Sequence, residues 1–275
     1  MPIIELRRTN RTKPESRILN AFSFNTTSQF GEDGIIREIF NRIGSKNRWC
    51  VEFGAWDGKH LSNTWSLIQD GWSAVLAEGE KSRAERLREQ YKHSDRIHVK
   101  ECFVGWDGEF TLDNILSTIS APFDFDLLSI DIDGNDWHVW SAVRKYKPRV
   151  VVIEFNPTAS NNLYFVQDAA VDINQGASLL AVIDLARSKG YELVATTNCN
   201  ALFVTREEFS KIGIEDNSID AMHDASITAE IAHGYDGTII AAGHLFLSWQ
   251  GVQLSQEDYQ VIPKMMRRYQ YSGDG

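Results

Sequence analysis

The sequence predicts an α/β protein with a mainly parallel sheet of about seven strands, covered by helices on both faces. Three observations carry that expectation. Short apolar, β-branched runs alternate with segments of helical periodicity between residues 28 and 205. The first such run, Trp49 to Phe53, opens onto a turn bounded by Gly54 and Gly58. The next ends in an acid, Glu78, at the distance at which a Rossmann-like sheet places a ribose-binding carboxylate.

The elements follow in order. Ile36, Ile39, Phe40 and Ile43 fall at i, i+3, i+4 and i+7, with Gly44 as the expected C-cap. Trp49 to Phe53 reads as the first strand. A helical stretch through Thr64, Leu67 and Ile68 ends at Gly71, and Ser73 to Glu78 reads as the second strand. Ala84, Leu87 and Tyr91 then share one helical face. Ile97 to Val104 and Asp126 to Ile132 are strand candidates, followed by a helix from about Asp136 to Lys145. Pro148 ends that pattern, and Val150 to Phe155 is strongly β-branched. A loop-like stretch from Asn156 to Gly176 breaks the rhythm. Leu179, Val182, Ile183 and Ala186 then form an amphipathic helix, capped by Ser178 and stopped by Gly190. Tyr191 to Thr196 and Ala201 to Thr205 complete the strands. These patterns divide the chain into a lead-in of residues 1–27, a ligand-binding domain of 28–205 and a C-terminal extension of 206–275.

Composition narrows the partners. The chain has 275 residues and a net charge of -10, from 28 Lys plus Arg against 38 Asp plus Glu. A phosphate-tracking protein needs cations to displace counterions, so nucleic acid is not an expected partner. Cys50, Cys102 and Cys199 lie far apart without a CxxC pair, which suggests neither a disulfide framework nor zinc. No leader-like or membrane-spanning run appears, so a cytoplasmic protein without a membrane partner is expected. A homo-oligomer is compatible with the sequence and not specified by it.

The turn after the first strand is the most informative segment. Gly54 lets the backbone turn tightly and pass close to a ligand. In open α/β sheets, ligands bind at the carboxyl ends of the strands. A dinucleotide needs GxGxxG for its pyrophosphate, and Trp56 stands where the middle glycine belongs. That weighs against a nicotinamide-dependent oxidoreductase. S-adenosylmethionine carries no phosphate, and a carboxylate such as Glu52 suits its amino group while Glu78 suits its ribose.

Val51-Glu52-Phe53-Gly54-Ala55-Trp56-Asp57-Gly58, together with Asp126-Leu127-Leu128-Ser129-Ile130-Asp131-Ile132-Asp133-Gly134, resembles the FkbM-type family of class I methyltransferases. The shared pattern is an acid-x-Gly-Ala-x-x-Gly turn, then an apolar strand ending in Asp-(Ile/Val)-(Glu/Asp)-Gly. The resemblance spans roughly residues 28–205. It implies the seven-stranded class I methyltransferase fold, S-adenosylmethionine as cofactor and O-methylation of a sugar or other small-molecule acceptor. On it, Glu52, Gly54, Ala55, Asp57, Gly58, Glu78 and Asp131 are the expected cofactor contacts. Gln29, in the segment before the first strand, is added as a residue folding over the cofactor. Residues 206–275 carry no matching motif and are expected to serve substrate or oligomer contacts.

Asp131, Asp133, Asn135 and Asp136 crowd the end of one strand, and Glu154 and Asn156 the end of the next. Oxygen-rich clusters of this kind suit Mg²⁺ or another hard divalent cation, so Asp131, Asp133, Glu154 and Asn156 are the candidate ligands. Such a cation lowers the pKa of an acceptor hydroxyl. An EF-hand is excluded, because the sixth position is Asp136 rather than glycine and the twelfth is Ala142 rather than glutamate. Asn156-Pro157 is followed by Thr158-Ala159, which does not continue an amino-methyltransferase motif. His138, one turn into the following helix, and Asp131 are the candidate catalytic residues, with His60 as the alternative base. A second reading from another class is a non-catalytic cofactor-binding or partner-binding protein of the same fold.

Overall fold

The structure, a computed structural model, describes residues 3–269. The outermost parts of the expected first and last segments, 1–2 and 270–275, lie outside the described residues. The chain packs as two units, one of Arg11–Asn156 with Asn161–His223, the other of the residues up to Asn10, Pro157–Ser160 and those from Asp224 on.

The larger unit contains strands β1 (Trp49–Phe53), β2 (Ser73–Glu78), β3 (Ile97–Glu101), β4 (Leu127–Ile130), β5 (Val150–Glu154), β6 (Tyr191–Thr196) and β7 (Asn200–Thr205). They form one sheet in the order β3-β2-β1-β4-β5-β7-β6, parallel except for β7. This is the class I methyltransferase fold. Helix α1 (Glu32–Ile43) leads into β1, and α2 (Trp65–Gln69), α3 (Lys81–Tyr91), α4 (Leu112–Ser117), α5 (Asp136–Ala142) and α6 (Leu179–Ser188) make the connections. Two short helices, α7 (Arg206–Phe209) and α8 (Ile219–Met222), follow β7.

The burial pattern explains the two-sided cover. Every residue of β4 and every residue of Val150 to Ile153 is fully buried, as strands sandwiched between helical layers require. The reversal at β7 has a local cause. Only residues 197–199 separate it from β6, too few for a crossover, so the chain returns antiparallel and fills the gap between β5 and β6.

The expected caps are present: Gly44 closes α1 at φ 70°, and the Ser178 hydroxyl accepts from Ala181 N at the start of α6. Three features depart from the sequence reading. Helix α4 escaped the periodicity because it is six residues long; its buried Leu112, Ile115 and Leu116 fill a single turn and a half. Helix α5 stops at Ala142 rather than near Lys145, since Val143 is already extended. Strand β3 ends at Glu101 rather than reaching Val104. The larger unit packs from Arg11 to His223, Pro157–Ser160 apart. Leu19, Ile212 and Met222 are wholly buried in its core, which draws both flanking segments in.

The amino-terminal edge of the sheet is held by one arginine. Arg149, 9% exposed, pairs with Asp126 at 2.8 Å and Glu208 at 2.7 Å and donates to the carbonyls of Ile43 and Gly44. Asp126 accepts in addition from the backbone N–H groups of Lys46, Asn47 and Arg48, so the lead into β1 is fastened to β4.

The smaller unit holds two antiparallel hairpins: β8 (Ala229–His233) with β9 (Ile239–Gly243), and β10 (Phe246–Leu247) with β11 (Val252–Gln253). Arg8 donates to the carbonyls of Ala225, Ser226 and Thr228. Among the described residues, no helix is long and apolar enough to cross a membrane.

Replacing Arg149 by Ala leaves buried Asp126 with its backbone N–H donors and no counter-charge. The expected loss is about 3–5 kcal/mol, read in a thermal melt as a fall of roughly 10 °C for a domain of this size.

Candidate functional site

The chain leaves β1 outward through β2 and β3, then returns to lay β4 and β5 on the other side of β1. The carboxyl ends of β1 and β4 therefore border a topological switch point, where an α/β sheet opens a crevice. The parallel register continues past the strands: Glu52 stands beside Ser129, so Gly54 meets Asp131 two residues on. Gly54 has φ 66°, and a Cβ there would sit 2.1 Å from the Asp131 carbonyl oxygen. Only glycine permits that approach.

Carboxylates fasten the loops around this point. Glu78, at the end of β2, accepts from Trp56 N at 2.8 Å with one oxygen and from Glu80 N at 2.8 Å with the other. It thereby pins the β1 turn. Trp56 is held at φ 48°, an unusual conformation for so bulky a residue, with its ring 45% exposed and the Arg83 guanidinium 3.8 Å over it. Asp33 gathers the backbone N–H groups of Thr26, Thr27 and Ser28 and the Ser66 hydroxyl. Asp57 accepts from Lys59 N and His60 N.

Glu52 is buried and holds a loop with both oxygens. One oxygen accepts from Asn63 N, the other from the Ser62 and Thr64 hydroxyls, each at 2.7 Å. Burial pushes its pKa up against these three hydrogen bonds. The carboxylate is turned inward to hold residues 62–64, because β1 is a central strand and its side chains meet helices on both faces. Gln29 is exposed; its backbone carbonyl accepts from Asn25. His60 is also exposed and tilts against Trp56.

A second group of acids behaves otherwise. Carboxylate oxygens of Asp131, Asp133 and Glu154 all lie within 4.8 Å of one another. Burial, and then the neighbouring Asp131, Asp136 and Asp133, push Glu154 up to about 9. Burial, and then Asp136 and Asp133, raise Asp131. Asp136, by contrast, accepts from Ile132 N and Gly134 N and closes the turn, leaving Asp133 at φ 57°. Asn156 donates its Nδ2 to the Gln175 carbonyl at 2.9 Å. It lies past the end of β5, where the chain has turned toward residue 177.

Gln167, absent from the sequence reading, organises the loop beside this cluster. Its buried amide accepts from Gln175 N and Gly176 N and donates to Ile173 O and Asn135 Oδ1. Its backbone carbonyl accepts from His138 Nε2 at 2.8 Å. A carbonyl can only accept, so Nε2 carries the proton and Nδ1 is the basic nitrogen of neutral His138. Trp106 and Trp137 pack against the imidazole at 5.8 and 5.3 Å. Glu32 and Asn200 were missed as well. Glu32 is wholly buried at the start of α1 and accepts from Thr197 Oγ1 and Asn200 Nδ2. Only tertiary structure brings β7 to Glu32, so no local signal marked the pair.

No protein-family model and no curated protein sequence matches the chain. Among solved structures, it is similar to the N-terminal domain of EvdMO1 with SAH bound. That likeness has 12% identity and a TM-score of 0.41 and covers 72% of this chain and 99% of the other. A SAM-dependent methyltransferase from Aquifex aeolicus aligns at 9% identity and TM-score 0.39, over 64% of this chain and 89% of its own. The CcbJ methyltransferase from Streptomyces caelestis aligns at 12% and 0.38, over 63% and 94%.

Two measurements check this geometry. Native Glu154 keeps its proton to higher pH than the unfolded chain does. In the presence of a chelator, stability should therefore fall as pH climbs from about 4.5 toward about 9. Glu154→Gln should flatten that slope and raise the Tm at pH 8 by a few degrees. Gln167→Ala should remove amide exchange protection at Gln175 and Gly176 and cost about 1–3 kcal/mol.

Proposed function

We propose that the chain is an S-adenosylmethionine-dependent methyltransferase of the FkbM type that methylates a hydroxyl of a small molecule, a carbohydrate in the first instance. The observation that carries the reading is the charge at the switch point. Carboxylate oxygens of Asp131, Asp133 and Glu154 gather within 4.8 Å of one another at this edge. A pyrophosphate would be repelled there, whereas a sulfonium and an ammonium are attracted. Trp56 N, which a dinucleotide would require for phosphate, is already donated to Glu78.

Each residue then has a task. A carboxylate offers about four acceptor positions, and Glu78 uses two on backbone N–H groups, which leaves room for a ribose hydroxyl pair. Gly54, Ala55, Asp57 and Gly58 shape the turn against which the cofactor lies. Glu52 supports it from beneath by holding residues 62–64. S-adenosylmethionine supplies an electrophilic methyl group whose leaving group is a neutral thioether. Catalysis then rests on alignment, and a base assists a hydroxyl acceptor. Nδ1 of His138 is that base, its ring orientation set by Gln167 O and the two tryptophans.

The acid cluster also fits a divalent cation. Opposite oxygens are about 4.2 Å apart around Mg²⁺ and about 4.8 Å around Ca²⁺, and the oxygens of Asp131, Asp133 and Glu154 fall within the larger span. Bound there, a cation supplies Lewis acidity toward an acceptor hydroxyl.

Titration calorimetry with S-adenosylhomocysteine tests the reading. Saturable binding is expected, with NADH giving none, and Glu78→Ala should weaken it by about tenfold, ~1.4 kcal/mol. No heat and no thermal shift would sink the proposal. Binding without turnover against a panel of sugars and hydroxylated metabolites would favour a non-catalytic cofactor-binding protein.

A further inference from the structure

Asn200 has an amide that the surrounding protein satisfies only at one end. The residue is 2% exposed, and its Oδ1 is buried with no hydrogen-bond partner. Its Nδ2 donates to Glu32 Oε1 at 3.2 Å. A carboxylate accepts and cannot donate, so Glu32 fixes which end of the amide faces it and leaves the oxygen as the orphan. Glu32 is itself held, accepting from Phe30 N at 2.7 Å and the Thr197 hydroxyl at 2.6 Å. The orientation of Asn200 is therefore built rather than incidental.

Its place in the sheet is equally defined. Asn200 is the first residue of β7 and stands directly opposite Glu154, the last residue of β5. Opposed residues on antiparallel strands project their side chains to the same face, with Cβ atoms about 4.5–5.5 Å apart. The Asn200 side chain therefore projects to the same face of the sheet as Glu154, whose carboxylate lies within 4.8 Å of those of Asp131 and Asp133. None of these accepts a hydrogen bond among the described residues, although every other acid at this edge that holds a loop does so through backbone N–H groups. The group offers acceptors from three strand ends and no donor. A hard cation satisfies such a set, and a neutral amide oxygen is one of its ordinary ligands.

We infer that Asn200 Oδ1 is the neutral ligand of a divalent-cation site completed by Asp131, Asp133 and Glu154, and that Glu32 is the positioning residue that aims it. This rests on and deepens the cation part of the proposed function, adding Asn200 to the candidate ligands. It adds a carboxylate–amide–metal relay in which the second acid sets the orientation of the first ligand.

The test is a Mn²⁺ titration of the full, chelator-treated chain, with the free ion read by electron paramagnetic resonance. The native chain should bind one Mn²⁺, with Mg²⁺ competing. Asn200→Ala should weaken binding at least tenfold, and so should Glu32→Gln, which frees the amide to flip. Both variants should keep their affinity for S-adenosylhomocysteine within twofold. If Asn200→Ala fails to fold, Glu32→Gln carries the test alone. Native affinity in Glu32→Gln, or in a folded Asn200→Ala, overturns the assignment, as does a native chain that takes up no Mn²⁺. Failure to bind S-adenosylhomocysteine would instead strike the methyltransferase reading and leave the Mn²⁺ result standing.

Discussion

The candidate site depends on how closely two strand ends approach. Gly54 passes the Asp131 carbonyl at a distance that excludes any side chain, and both residues lie at the point where the sheet changes its direction of growth. Everything nearby adapts to that contact. The turn after β1 must leave at once, which puts Trp56 in a left-handed conformation. The turn after β4 must stay tight, which Asp136 achieves by capturing two backbone N–H groups. The crevice follows from backbone geometry before any functional side chain is placed.

Acids serve this edge in two ways. Asp33, Glu52, Glu78 and Asp136 accept several hydrogen bonds each and act as rivets between loops. Asp131, Asp133 and Glu154 rivet nothing, and they repel one another. Holding unbonded carboxylates together in a half-buried place is unfavourable for the free chain, and sites of this kind are where function concentrates. The first group makes the second affordable by giving it a rigid frame.

The sheet was legible because its signals are local. The β-branched run of Val150 to Ile153 and the cap at Ser178 can be read within a few residues of chain, and the strand limits match closely. The grouping of Asp131 with Glu154 was also visible, since neighbouring strand ends follow from the strand order. Direction was not. Whether Glu52 faces a ligand or a loop depends on Ser62, Asn63 and Thr64, which the sequence places in a different element. The partners of Asn156, Gln167 and Asn200 are loop or cross-sheet contacts, and no periodicity encodes those. Leu19 shows the same gap: a polar lead-in concealed one residue that belongs to the core.

The antiparallel course of β7 has an evolutionary corollary. A purely parallel sheet can decorate its carboxyl-end edge only from the strand-to-helix loops, each of which also shapes the crevice at the switch point. Because β7 runs backwards, its first residue arrives at that same edge from the short reversal at residues 197–199. Substitutions or insertions in this reversal can retune the acid cluster through Asn200 and leave the β1 and β2 turns unaltered. The hairpin is a separate adjusting point, through which the acid-rich edge can be altered while the turns after β1 and β2 stay as they are.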